Sequence, residues 1–221
     1  MWCAHSPFGG KALKASSQPP WDFILQFAGH LPSLHLLALR SFITPGAPHI
    51  CVFAALSSFS SVRELHLDKC HWHFASFGTL RRILVSLPSL NALQLCQVGW
   101  FRPSRGLAAQ LDFPERRPRL VSLAINANFE SHRTLLPWLL RTPTRDALRE
   151  LSVTDPARFS VAEDLWKPFQ LQFFETVVAS ASVTSLSMIP DSEFNFPMEA
   201  FTSLRRISFH LQAHDNGPRW N

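Results

Sequence analysis

Apolar residues along this chain recur in short blocks that share one form, an apolar residue followed at the third and fifth places by two more. Seven blocks show it: LPSLHLLAL at 31–39, FSSVRELHL at 59–67, LPSLNALQL at 87–95, RPRLVSLAI at 117–125, DALRELSV at 146–153, ASVTSLSM at 181–188 and TSLRRISF at 202–209. The first core residue of each is Leu34, Val62, Leu90, Leu120, Leu148, Val183 and Leu204. These anchors are 28, 28, 30, 28, 35 and 21 residues apart, so four of six spacings lie within two of 28 and the last two average 28. Alternation of apolar and polar residues at the end of each block predicts a strand with one buried face. The intervening segments change to a helical period. Trp21 to His30 carries Trp21, Ile24, Leu25 and Ala28 on one face; Ile50 to Phe59 carries Val52, Phe53 and Leu56. Phe77 to Leu87 carries Leu80, Ile83, Leu84 and Leu87, and His132 to Leu140 and Trp166 to Ala179 are similar. Prolines 32, 88 and 118 fall between helix and strand, where a missing N–H removes no ladder bond.

A unit of one helix and one strand cannot bury its own apolar face, but stacked units can share a continuous core. The pattern is the strand segment of a leucine-rich repeat. At the ninth place of the unit, where Asn or Cys is the usual type, the second block has Cys70 and the fourth Asn128. The others have Phe42, Val98, Pro156, Asp191 and Gln212, so the repeat is degenerate. The predicted fold is α/β: a leucine-rich-repeat-like solenoid of about seven repeats, with a curved parallel sheet on the concave face and helices outside. It is expected to occupy residues 21–212. Residues 1–20 carry no apolar period and are expected to be disordered or loosely packed, and 213–221 to form a tail.

Composition narrows the function without naming it. The chain has 221 residues, 46% of them apolar and 17% charged, which fits a folded array and excludes a disordered tail. A net charge of +5 is mild, and the basic pairs Arg81–Arg82, Arg116–Arg117 and Arg205–Arg206 fall on different elements. They read as solvated faces, not a nucleic-acid footprint. Four cysteines without a C-x-x-C spacing suit a reducing compartment. The N-terminus lacks the apolar core of a signal peptide, and no apolar stretch is long enough to span a bilayer. The expected location is therefore cytoplasmic or nuclear, with neither membrane nor nucleic acid as partner.

No catalytic constellation emerges. The chain has no G-x-S-x-G, no H-E-x-x-H and no P-loop; at Gly9-Gly10-Lys11 the loop glycine is replaced by His5 and the metal-binding hydroxyl by Ala12. Cys70, His71 and His73, with His66 and Cys96 a repeat away or less, form the nearest approach to a metal site. In the repeat frame Cys70 faces inward while the two histidines leave on a turn, so a buried thiol and two solvated imidazoles are expected. No enzyme activity, cofactor or metal is predicted. Trp100 and Phe101 follow the third strand as candidate exposed aromatics, whereas Trp21, Trp138 and Trp166 fall on helical core faces.

Binding, if any, is expected on the polar positions between the core residues of the strands. The central row is Ala38, His66, Gln94, Ala124, Ser152, Ser187 and Ser208. It is flanked by rows beginning Leu36–Glu64–Ala92 and Arg40–Asp68–Cys96–Asn126. Glu64, His66, Asp68, Gln94 and Asn126 are the candidate contact residues for a protein or peptide ligand, with Arg40 beside Asp68 as a possible salt link.

The blocks WDFILQFAGHLPSLHLLAL and FSSVRELHLDKCHWHFASFGTLRRILVSLPSLNALQLCQVGW resemble the repeat region of the fungal (basidiomycete) F-box and leucine-rich-repeat-like proteins. The family's strand, turn, helix and LPxLxxLxL order is matched over about residues 21–126 and more thinly to about 212. The resemblance implies the substrate-recognition region of a ubiquitin-ligase adaptor. Only some 20 residues precede the first repeat helix, so the three-helix F-box is not expected within this chain, and a ligase scaffold is a partner only where an F-box is supplied. The alternative is a degenerate repeat fragment that has no retained partner.

Overall fold

A computed structural model describes residues 21–40, 49–69, 77–98, 116–126, 129–153, 182–188 and 202–209. Seven strands follow one another: β1 (Leu36–Arg40), β2 (Glu64–Asp68), β3 (Ala92–Cys96), β4 (Ser122–Asn126), β5 (Glu150–Val153), β6 (Ser185–Met188) and β7 (Arg206–Phe209). They form one sheet in chain order, β1-β2-β3-β4-β5-β6-β7, and every neighbouring pair is parallel. Each strand begins two residues after its anchor, and the anchors' spacings are the registers: Leu37 faces Leu65, Leu65 faces Leu93, and Leu93 faces Leu123. The uneven last spacings, 35 and 21, do not disturb the ladder, because Leu151, Leu186 and Ile207 are also register partners. The extra and missing residues therefore fall between strands.

The turn into each strand is built alike. The carbonyl of the residue after one anchor accepts two amides of the next repeat: His35 from Arg63 and Glu64, Arg63 from Asn91 and Ala92, and Asn91 from Val121 and Ser122. Arg149 and Thr184 continue the column. This begins the parallel pairing one residue before the strand proper, so the stack is aligned at its leading end.

Helices line one face. They are α1 (Trp21–Phe27), α2 (Ile50–Ser57), α3 (Phe77–Ser86), α4 (Phe129–Leu139) and the single turn α5 (Thr144–Ala147). The core joins Ile24, Val52, Leu56, Leu80, Ile83, Leu84, Leu135 and Trp138 to the strand leucines Leu65, Leu67, Leu93, Leu95 and Leu123 with Ile125. All these are at most 2% exposed. Burying each such side chain contributes about 1.5–3 kcal/mol. Adjacent helices need about 8–10 Å, whereas strands sit about 4.8 Å apart, so stacking both in step bends the array with the strands inside.

One expectation needs correction. Leu25 was placed on the buried face of α1 but is 43% exposed, while Trp21 and Ile24 are buried. Among the described helices α1 has a neighbour on one side, α2, so a narrower stripe is covered. The turn α5 was not anticipated; four residues are too few for a helical period to show. The helix expected at 166–179, the ladder positions Cys70 and Asn128, and the flanking segments 1–20 and 213–221 lie outside the described residues.

Candidate functional site

Three adjacent strands present the five candidate side chains. Inward leucines fix the orientation: on β2, Leu65 and Leu67 are fully buried, so Glu64, His66 and Asp68 stand on the opposite face. On β3 the burial of Leu93 and Leu95 does the same for Gln94, and on β4 Leu123 and Ile125 do so for Asn126. No described helix covers this face.

Register brings the residues together. His66 is paired with Gln94, and Gln94 with Ala124. Asp68 is paired with Cys96, and Cys96 with Asn126. Glu64 is paired with Ala92. Neighbours in a row are about 4.8 Å apart and rows along a strand about 6.6 Å, so the five side chains span a patch roughly 10 by 13 Å. His66 Nε2 lies 3.7 Å from Glu64 Oε2, with the two side chains 29% and 51% exposed. That distance is too long for a hydrogen bond, and the contact is an ion pair only when His66 is protonated. Arg40 and Asp68 are register partners, as their spacing predicts.

Small side chains surround the patch. Ala38 lies across from His66 and Ala124 across from Gln94 in the central row, and Ala92 lies across from Glu64 in the row beside it. A surface of this kind combines donors (Gln94, Asn126, His66) and carboxylate acceptors (Glu64, Asp68) with shallow gaps at the alanines. It suits hydrogen bonding to an extended backbone or to polar side chains.

Lys69 belongs to this edge and was not foreseen. It is exposed, directly follows Asp68, and adopts φ 50°, with its amide donating to Cys96 O at 2.8 Å. Its left-handed backbone left no signal in the sequence, because lysine is not a residue type that favours that conformation. Cys96 is half-buried between Asp68 and Asn126 and is in no disulfide with a described residue. Cys70, His71, His73, Trp100 and Phe101 lie outside the described residues. Among the described residues no three His, Cys, Asp or Glu side chains are placed to hold a metal ion. No described helix is long and apolar enough to cross a membrane.

No family model matches the chain, and no curated protein matches its sequence. Neither comparison adds support to the F-box resemblance. Among solved structures, leiomodin-1 actin-binding site 2 has a similar trace, with a TM-score of 0.45 and 11% identity over 86% of this chain and 89% of that one.

Proposed function

We propose that this chain is a non-enzymatic protein-interaction module that receives a protein or peptide on the helix-free face of its sheet. One observation carries the reading: Glu64, His66, Asp68, Gln94 and Asn126 stand side by side on three strands whose pairing and buried leucines hold them in place. A surface ordered before binding loses little further conformational freedom when a partner arrives. The finer reading, supported by the sequence resemblance, is the substrate-recognition region of an F-box-type ubiquitin-ligase adaptor acting in the cytosol or nucleus.

The test is capture of partners from a host extract on the full chain, followed by simultaneous replacement of His66, Asp68 and Gln94 with Ala. Loss of the captured partner at an unchanged melting temperature is the expected result. Retention of the partner by that variant, with loss on changing Trp100 and Phe101, would move the site to the segment after β3.

A further inference from the structure

Away from that face, the leading ends of β5, β6 and β7 enclose a surface cavity of about 510 Å3. Its polar lining is Arg149, Ser182, Thr184, Thr202, Ser203 and Arg205. Among the described residues, two guanidinium groups and four hydroxyls line this hollow and no carboxylate does. Neither arginine makes an ion pair with a described residue. Glu150, next in the chain to Arg149, opens β5 as an exposed residue and does not contribute to the lining.

The backbone sets the spacing. The Thr184 amide donates to Arg149 O at 2.9 Å, and the Arg205 amide donates to Thr184 O at 2.8 Å. Thr184 therefore sits between the two arginines, whose Cα atoms are two strand spacings apart, about 10 Å. Two arginine side chains starting at that separation can close on one tetrahedral anion above the threonine.

Arg149 is also held in place. Its Nη1 donates to the carbonyls of Asp146 at 3.0 Å, Leu148 at 3.2 Å and Ser182 at 3.3 Å. Those bonds anchor one corner of the guanidinium and leave Nε and Nη2 with no described partner. A planar fork fixed at one corner presents its remaining donors in a set direction, which suits bidentate recognition of an oxyanion. Arg205 has no described side-chain partner and can swing to meet the same anion.

We infer that this cavity binds a phosphate monoester, clamped between Arg149 and Arg205 with the hydroxyl of Thr202 as a further donor, the Thr184 hydroxyl being already given to Arg149 O at 3.3 Å. This site is separate from the five-residue patch, and its failure would leave the protein-binding reading untouched. The test is calorimetric titration of the full chain with inorganic phosphate, O-phospho-L-serine, and a short phosphoserine peptide beside its unphosphorylated and glutamate-substituted twins. Saturable binding of O-phospho-L-serine is expected, with Arg205→Ala weakening it roughly tenfold or more at an unchanged melting temperature. Arg149→Lys, which keeps the charge but loses the fork, should also weaken it and serves as the second variant. A phosphopeptide tighter than the free amino acid would identify a phosphorylated protein segment as the source; inorganic phosphate as tight as either would overturn the monoester assignment. Absence of saturable binding overturns the inference, as does a glutamate peptide equal to the phosphopeptide, or binding indifferent to both variants.

Discussion

The Thr144 hydroxyl accepts the amide of Leu120 at 3.0 Å, 24 residues back along the chain, while donating to the Pro118 carbonyl at 3.0 Å. Thr144 is 1% exposed, so this one side chain satisfies two buried backbone groups at the approach to β4. Thr142 supports it, accepting the Thr144 amide at 3.2 Å and donating to Leu139 O at 2.6 Å. Thr144→Val keeps the volume and strips both bonds, leaving the Leu120 amide unpaired in the core. It should cost about 1–3 kcal/mol. Thr144→Ser keeps the hydroxyl and should cost less. Urea midpoints at constant slope would show the difference; a valine variant as stable as serine would refute the bridging role.

Core and face positions on the same sheet should respond differently to truncation. Leu93 is 2% exposed between Leu65 and Leu123, so Leu93→Ala should destabilise by about 2–5 kcal/mol. Leu36, 43% exposed on the opposite face of β1, should lose less than about 1 kcal/mol on the same change. Equal losses at the two sites would contradict the assignment of faces.

The ladder was readable in the sequence because a parallel stack demands the same thing of every unit. Leu65, Leu93 and Leu123 must all face inward at the same place, and that demand appears as a period near 28. The candidate patch followed from the same period, since His66 and Gln94 occupy equivalent places in successive units. What could not be read is what a single unit does alone. The Thr144 bridge joins residues of no common period, and α5 is one turn long. Leu25 looked buried because a helical wheel takes no account of how many neighbours a helix has. The cavity at Arg149 and Arg205 combines residues that the sequence presents as ordinary surface arginines.

Phe77 and Trp138 meet edge to face across α3 and α4, with ring centroids 5.4 Å apart and planes at 74°. Both are at most 2% exposed, so the pair ties the helix between β2 and β3 to the helix between β4 and β5 inside the core. A double-mutant cycle with Phe77→Leu and Trp138→Leu should give a coupling of about 0.5–1.5 kcal/mol beyond the separate losses. Strict additivity would mean that the two rings pack independently.

Lys69 and Gln97 share one feature that distinguishes them from every other described non-glycine residue: positive φ, 50° and 53°. Each directly follows its strand, and they are one 28-residue repeat apart, so this conformation belongs to the turn leaving the sheet. Their amides still donate across the ladder, Lys69 to Cys96 O and Gln97 to Asn126 O. Left-handed backbone costs an ordinary side chain about 1–2 kcal/mol. Glycine avoids that cost but loses about 0.5–1 kcal/mol through the freedom of the unfolded chain. Gln97 is exposed, so its side chain adds little to set against the exchange. Gln97→Gly should therefore stabilise the protein by roughly 0.5–1 kcal/mol. Gln97→Val, β-branched and poorly suited to positive φ, should destabilise it. Both variants leave the amide donor to Asn126 in place, so the comparison isolates the backbone. Chemical denaturation of the three proteins should rank them glycine, glutamine, valine. A valine variant matching the parent would show that the turn after β3 relaxes out of the left-handed region, and that the shared geometry with Lys69 does not constrain it.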